Sequence, residues 1–277
     1  MKNESDYFEG RETTRLFYQY WLPDSGEIKA YLVAFHPLGA HSDRIKIIAE
    51  NLTEKGYAIY AFDLRGHWRN IVNIPGHIES MDHLQKDIVL FLDVVKKIAG
   101  DKKVFLLGIS FGGLIALMYA ISHPQTDGVI VLSPELDLIT EMSTVKKLVK
   151  KLSRDPSALI PYEIDQKILT RDLKILREYN TDKRRLKEIT IKTYTDREQS
   201  MKWVRSNAKN LTCPVLIMQA GDDKIVDKKA VEKFYNSVKA EDKTYKDFDG
   251  LLHEIWTEKQ RAHVFQELFI WLEKHFK

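Results

Sequence analysis

The sequence predicts an α/β fold in which a mostly parallel central sheet is covered by helices on both faces. Short, almost continuously apolar runs recur along the chain, as is typical of strands that are buried on both sides. Segments with helical spacing of apolar residues follow most of these runs. The chain has 277 residues and 32.3 kDa, with 44% hydrophobic and 30% charged residues. It is therefore long enough to enclose such a sheet in one domain.

Five apolar runs predict strands, at residues 30–36, 57–62, 104–107, 128–132 and 214–219, and residues 243–248 are the candidate for a sixth strand. Helices are expected between them, at 45–55, 81–98 and 112–122, and after residues 227 and 257. Asp227 is placed to cap the first of the two late helices. Thr257 and Gln260 have the spacing of a capping box for the last one. The alternation of strand and helix predicts the layered architecture.

The alternation stops between residues 135 and 206, where no convincing buried strand appears. This span has 17 basic and 12 acidic residues, a net charge of +5. We expect residues 1–134 and 207–277 to form the core and 135–206 to form a mainly helical cap inserted between strands. The cap contains a basic stretch made of Lys146, Lys147, Lys150, Lys151 and Arg154. We expect these side chains to form a solvated helix face, and the alternative is that they contact anionic lipid.

Composition excludes several classes of protein. The single cysteine, Cys213, rules out an intramolecular disulfide framework and a thiolate zinc cluster. A net charge of +3 and a pI near 8.6 are too weak for a nucleic-acid-binding surface. The polar start has no secretory core, and the longest uncharged apolar stretch is too short to cross a bilayer. We therefore expect a cytoplasmic protein; its oligomeric state is not defined by the sequence.

Gly108-Ile109-Ser110-Phe111-Gly112 is the most informative segment. It follows an apolar strand and opens an apolar helix, which is the context of a nucleophile elbow. The flanking glycines allow a tight turn, because a Cβ there would strike the neighbouring strand and helix. The spacing fits neither the dinucleotide fingerprint nor a phosphate-binding loop. Ser110 is therefore the candidate nucleophile, and the N–H of Phe111 is directed at a developing oxyanion.

A serine nucleophile needs a base, and nine histidines compete for that role. In enzymes with such an elbow the order along the chain is serine, acid, histidine, which requires a late histidine in a loop. His263 and His275 fall on the last helix, where surface positions are expected for both. His253 falls in the loop before that helix and is the candidate base.

The acid must lie after a strand and before His253, where it fixes the tautomer of the imidazole. The segment after the strand at 214–219 offers two adjacent carboxylates, Asp222 and Asp223. Only one of them can face the ring, and the other is free to cap a turn. The residue types alone leave the choice between them open.

These segments resemble the monoacylglycerol lipase and lysophospholipase branch of the α/β-hydrolase fold, which is also described as serine aminopeptidase-like. The matching motifs run from residue 16 nearly to the C-terminus. They are Leu16–Trp21, Ala61–His67, Gly76–Ile78, Gly108–Gly113, Ser133-Pro134, Gly221–Val226 and Gly250–Glu254. The resemblance implies a triad of Ser110, Asp223 and His253. It selects Asp223 because the family's acid precedes a basic or polar residue, then Ile and Val.

The family's first oxyanion loop reads His-Gly-x-Gly, and here it reads His36-Pro37-Leu38-Gly39. Pro37 has no N–H, but the family's donor is the next residue, here Leu38. The resemblance therefore implies an oxyanion hole formed by the N–H groups of Leu38 and Phe111. Proline also restricts His36 to extended geometry, which favours a preformed loop.

The resemblance implies a serine hydrolase that cleaves lipid-like carboxylic esters through an acyl-enzyme, without metal or organic cofactor. Its substrate would be a monoacylglycerol or a lysophospholipid, and its cap would touch membranes only transiently. The alternatives are a general carboxylesterase or thioesterase, an aminopeptidase, which needs an anionic site for the amino group, and a non-catalytic member. Candidate acids for that anionic site are Glu135, Asp137, Glu141 and Glu163. Some apolar cap residues, such as Leu148 and Ile164, are candidates for an acyl tunnel, although most are expected to pack the cap.

Overall fold

The computed structural model describes residues 1–139 and 143–277. The described strands are β1 (Lys2–Glu9), β2 (Arg15–Leu22), β3 (Ala30–Phe35), β4 (Tyr57–Phe62), β5 (Val104–Ile109), β6 (Val129–Leu132), β7 (Leu159–Pro161), β8 (Glu188–Thr190), β9 (Val215–Ala220) and β10 (Lys243–Phe248). The described α-helices are α1 (Lys46–Thr53), α2 (Met81–Ala99), α3 (Phe111–Ser122), α4 (Ser143–Leu152), α5 (Leu173–Thr181), α6 (Ile191–Ser206), α7 (Lys228–Ser237) and α8 (Arg261–His275).

Eight strands form one sheet in the order β1-β2-β4-β3-β5-β6-β9-β10. The six strands from β4 to β10 in this order are parallel, and β1 and β2 add an antiparallel edge. The predicted mostly parallel sheet is confirmed, including the five predicted strands and the candidate sixth strand. Strands β1 and β2 were not predicted from the sequence. Strand β1 is exposed at every residue except Phe8, so it has no apolar run to mark it.

Helices cover both faces of the sheet, as predicted. One apolar layer contains residues of α1 and α8, and the other contains residues of α2, α3 and α7. Asp227 caps α7 by accepting a hydrogen bond from the N–H of Lys229. The predicted capping box of α8 is wrong, because the hydroxyl of Thr257 donates to the carbonyl of Glu254 and the helix begins only at Arg261. None of the described helices is both long and apolar enough to cross a membrane.

The chain between β6 and β9 forms α4, α5 and α6 and a small antiparallel sheet of β7 and β8. The sequence reading expected no buried strand here, yet Ile160 and Ile189 are fully buried at the centre of this pair. Three residues per strand are too few to produce a recognisable pattern. Apolar residues of α4 pack against the core, and those of α5 join a small separate cluster. The apolar residues of α4 therefore pack against the core rather than within the cap.

An ion pair of Asp182 is among the polar contacts that attach this segment to the core. The carboxylate of Asp182 lies 2.7 Å from Nε2 of His41, in the loop after β3. Asp182 also accepts hydrogen bonds from Arg184, whose guanidinium reaches Asp43. Burial opposes ionisation of Asp182, but Arg184 and His41 outweigh it and hold its pKa well below the usual value. The ionised carboxylate therefore stabilises the docking of the segment.

Candidate active site

A sharp turn between β5 and α3 holds Ser110. Its φ of 53° lies in the left-handed region, where a residue with a side chain is strained by on the order of 1–3 kcal/mol. A Cβ at Gly112 would lie 2.1 Å from the carbonyl oxygen of Phe35. A Cβ at Gly108 would lie 2.3 Å from the carbonyl oxygen of Gly112. Only glycine fits at these two positions, so the sequence makes this turn and lifts Ser110 off the end of the sheet.

His253 and Asp223 form a buried pair near the same end of the sheet. Asp223 follows β9 and His253 follows β10, and these two strands are parallel neighbours. The Nδ1 atom of His253 lies 2.8 Å from Oδ2 of Asp223. Because an ionised carboxylate can only accept, Nδ1 must carry the proton. The opposite ring nitrogen, Nε2, is then left with a free lone pair and can act as a base.

The structure separates the two adjacent carboxylates. Asp222 is exposed to solvent and pairs with Lys224 and Arg171. Asp223 is buried and faces His253. Burial tends to raise the pKa of Asp223, but the charge and hydrogen bond of His253 and two backbone N–H groups lower it below the usual value. The carboxylate therefore stays ionised and holds the ring in one tautomer.

Two backbone N–H groups near Ser110 have no acceptor within the described residues. Phe111 is the first residue of α3, so its N–H lacks an intrahelical partner. Leu38 lies in the loop after β3, and its N–H makes no hydrogen bond to the described chain. The side chains of both residues are buried. Two free donors on elements that flank Ser110 suit a developing negative charge.

Two buried histidines brace the loop that contains Leu38. The Nε2 atom of His67 accepts a hydrogen bond from the N–H of Gly39, at 3.1 Å. The Nε2 atom of His36 accepts one from the N–H of Leu64, at 2.9 Å. Burial lowers the pKa of both rings, that of His67 to about 4, so both are neutral acceptors at neutral pH. Both histidines belong to motifs that match the family, but their role in holding this loop by hydrogen bonds was not predicted from the sequence.

Ser110 and His253 line one small cavity of about 40 Å³, together with Leu38. No hydrogen bond joins the Ser110 hydroxyl to the described chain, including His253. Such nucleophile–base bonds are often long in the absence of substrate. The other late histidines lie apart: His263 is exposed on α8, whereas His275 is buried against Asp242 at 3.0 Å. The expected surface position of His275 is therefore wrong, because α8 turns that residue toward the loop before β10.

A buried ionic cluster lies next to His253. The carboxylate of Glu254 pairs with Arg44 at 3.0 Å and contacts the hydroxyl of Tyr179. The guanidinium of Arg44 lies 3.7 Å from the centre of the Tyr179 ring. Burial raises the pKa of Glu254 to about 7, against the opposing charge of Arg44. Sequence reasoning missed this cluster, since its three members are far apart along the chain.

A second cavity, of about 140 Å³, also reaches Ser110 but not His253. Its walls come mostly from the segment between β6 and β9. The apolar lining residues are Leu138, Val145, Pro161, Ile164, Ile189 and Ile225, and the polar and aromatic ones are Glu135, Tyr162, Glu163, Tyr194 and Arg197. Of the two residues named above as candidates for an acyl tunnel, only Ile164 lies here, and Leu148 packs against the core.

Residues 26–260 match the family model described as serine aminopeptidase, S33. The phospholipase YtpA of Bacillus subtilis is 29% identical over 251 residues, which cover 89% of this chain and 96% of the relative. The human monoglyceride lipase is 27% identical over 94% of this chain and 87% of its own. Both alignments extend over nearly the whole chain.

Solved structures agree with the fold described above. The monoacylglycerol lipase of Paleococcus ferrophilus has a TM-score of 0.83 at 28% identity and covers 95% of this chain and 100% of its own. A soluble variant of the monoglyceride lipase of Saccharomyces cerevisiae has a TM-score of 0.89 at 24% identity, over 98% of this chain and 95% of its own. The α/β-hydrolase fold expected from the sequence is therefore confirmed.

Proposed function

Because the chain belongs to the serine aminopeptidase S33 family of α/β hydrolases, we propose that it is a serine hydrolase that cleaves carboxylic esters of lipid-like substrates. Monoacylglycerols and lysophospholipids are the substrates that we propose. The names of the relatives, a phospholipase and several monoglyceride lipases, support this class of substrate. We also propose that Ser110, Asp223 and His253 form the catalytic triad of this reaction.

In this proposal Ser110 attacks the acyl carbonyl while Nε2 of His253 takes its proton. The N–H groups of Leu38 and Phe111 hold the oxyanion, and each such donor typically contributes about 3–4 kcal/mol to transition-state stabilisation. Protonated His253 then passes the proton to the leaving alcohol, and an acyl-enzyme remains. Water, activated by the same ring, releases the acid. Asp223 orients the ring and stabilises its charged form.

The observation that carries the proposal is the 2.8 Å contact between Asp223 and His253 beside a serine held at positive φ. Backbone strain at a serine is typical of functional sites, and so is a buried carboxylate that is paired with a histidine. An acyl-transfer site accounts for both features.

The charges near Ser110 argue against a preference for a free amino group. Such a substrate requires an unneutralised acid, and the sequence offered four candidates. Glu135 is paired with buried Arg197, and Asp137 is paired with Arg205 and lines a different cavity. Glu163 is largely exposed to water and lies 3.9 Å from Lys187. The fourth, Glu141, lies outside the described residues. Esters therefore fit the site better than aminoacyl substrates.

We further propose that residues 135–206 act as a cap over Ser110 and touch anionic membranes through α4. In this helix Leu148 and Leu152 pack inward, whereas Lys147, Lys150 and Lys151 are exposed. A basic face opposite an apolar one suits transient adsorption to anionic lipid. The side chain of Lys146 lies outside the described residues. The cytoplasmic location stays a prediction.

A hydrolysis panel tests the proposed function. It compares a monoacylglycerol, a lysophospholipid, short and long 4-nitrophenyl esters and an aminoacyl anilide, each at matched concentration. We expect hydrolysis of the glycerol esters, its loss in Ser110→Ala, and little release of the anilide. Preferential cleavage of the anilide would replace the ester assignment, and unchanged activity in Ser110→Ala would remove the nucleophile.

A further inference from the structure

An ion pair lines the second cavity beside Ser110. The Nε atom of Arg197, on α6, lies 3.1 Å from Oε1 of Glu135. Glu135 is 2% exposed and Arg197 is 4% exposed, so both charges are withdrawn from bulk water. The backbone N–H of Glu135 donates to the carbonyl of Ser110 at 3.0 Å, which fixes the pair close to the nucleophile.

The pair is close in distance, but its hydrogen bonding is incomplete. Both atoms are buried, yet neither Oε1 of Glu135 nor Nε of Arg197 makes a hydrogen bond of acceptable geometry to the residues that the structure describes. The guanidinium also lies 5.3 Å from the centre of the Tyr194 ring and 5.9 Å from that of Tyr162. Buried polar atoms without partners are costly. A ligand that supplies hydrogen bonds here would recover that cost.

The chemistry of the proposed reaction assigns this cavity to the acyl group. His253 must deliver a proton to the leaving alcohol, so the alcohol has to lie on the side of the ring. His253 lines the smaller cavity and not the one with the ion pair. The acyl chain, attached to the same carbonyl, then extends the other way, past Glu135 and Arg197.

A plain alkyl chain is a poor match for a cavity with this lining. Leu138, Ile164 and Ile225 would contact it favourably, but it would offer nothing to the ion pair. A charged tail is no better, because a carboxylate would meet Glu135 and an ammonium group would meet Arg197. A neutral hydroxyl fits both, since it donates to a carboxylate and accepts from a guanidinium.

We propose that Glu135 and Arg197 determine acyl specificity and that the cavity takes an acyl group with a neutral hydroxyl on its tail. This inference rests on the proposed function, because it places the acyl group by the role of His253. Sites built to hydrogen-bond a substrate hydroxyl discriminate strongly against analogues that lack it.

The test compares methyl esters of straight-chain acids of six, eight and ten carbons with the same esters bearing a terminal hydroxyl. The readout is kcat/KM from acid release. For the length that reaches the pair, we expect the wild-type protein to prefer the hydroxylated ester at least tenfold. If kcat/KM is equal for the plain and the hydroxylated ester at every chain length, this measurement on the wild-type protein is sufficient to overturn the inference.

A double variant, Glu135→Leu with Arg197→Met, replaces the pair by apolar groups of similar volume, which a core usually tolerates better than loss of one charge. We expect it to lose the hydroxyl preference and to gain activity on the plain esters. The matched control is Asp137→Leu with Arg205→Met, a pair on the same two segments that lines a different cavity. This control should keep the preference of the wild type.

Labelling of Ser110 by a fluorophosphonate separates the two possible failures. If Ser110 is labelled and the double variant keeps the hydroxyl preference, the specificity inference is wrong and the proposed function stands. If Ser110 is not labelled and no ester is hydrolysed, the proposed function fails and the inference fails with it.

Discussion

Replacing Asp223 by asparagine is expected to remove the base while leaving the fold intact. In the structure, Oδ1 of Asp223 accepts hydrogen bonds from the N–H groups of Ile225 and Val226, at 2.9 and 3.0 Å. Oδ2 faces Nδ1 of His253 at 2.8 Å and the amide of Gln219 at 3.1 Å. In Asp223→Asn the single oxygen must stay on the two backbone donors. The new amide nitrogen then faces the imidazole.

The magnitude of the effect follows from the tautomer. An amide donor forces Nδ1 of His253 to accept, so the proton moves to Nε2 and the ring can no longer take a proton from Ser110. A wrong tautomer of this kind lowers kcat by about 10⁴. At about 1.36 kcal/mol for each factor of ten, this is about 5.4 kcal/mol of transition-state stabilisation. The fold should persist, because Oε1 of Gln219 is unpartnered and can accept from the new amide after a side-chain flip.

The assay is kcat and KM on a 4-nitrophenyl ester, with thermal unfolding as the check on folding. Asp222→Asn is the matched control, since the Asp222 carboxylate is exposed to solvent and its partners among the described residues are Lys224 and Arg171. The control should stay within about twofold of the wild type. The reasoning is refuted if Asp223→Asn keeps more than a tenth of the activity while folded, or if Asp222→Asn loses as much as Asp223→Asn does.

Three further predictions test other parts of the molecule. Leu38→Pro removes one oxyanion donor and should lower kcat by about 10²–10³. Leu38→Ala keeps the N–H group and should leave kcat unchanged. Equal losses of kcat in the two variants would contradict the role of the Leu38 N–H group as an oxyanion donor. Asp182 has a lowered pKa, so its contribution to stability is present above its ordinary pKa of 3.8 and is lost as pH falls through the lowered value. The difference in Tm between wild type and Asp182→Asn should therefore shrink below about pH 4. A difference in Tm that stays constant with pH would contradict a stabilising role of the ionised Asp182. Replacing Lys147, Lys150 and Lys151 together by glutamate should abolish co-sedimentation of the protein with anionic vesicles. Unchanged co-sedimentation would exclude α4 as the membrane contact.

The sequence was informative where the relevant residues are close together along the chain. The glycine spacing around Ser110 predicts a strained turn, and the structure has it at φ 53°. The loop position of His253 was also readable, because its strand and helix are both marked by apolar residues. The choice between Asp222 and Asp223 needed either a family resemblance or coordinates, since both residues suit the same loop.

Features that depend on contacts between distant segments were not readable. Glu135 and Arg197 are separated by about sixty residues, and nothing local marks either of them as a buried ion. Strand β1 is recognised only by its pairing with β2, because its side chains are mostly exposed. Thr257 has the residue type of a cap but uses its hydroxyl within the turn that precedes α8. In each case the tertiary environment decides the outcome.

Mass spectrometry after treatment with a fluorophosphonate tests the central claim most directly. The reagent should form one covalent adduct, peptide mapping should assign it to Ser110, and His253→Ala should slow its formation by orders of magnitude. An adduct on another residue, or none on the folded protein, would contradict the account.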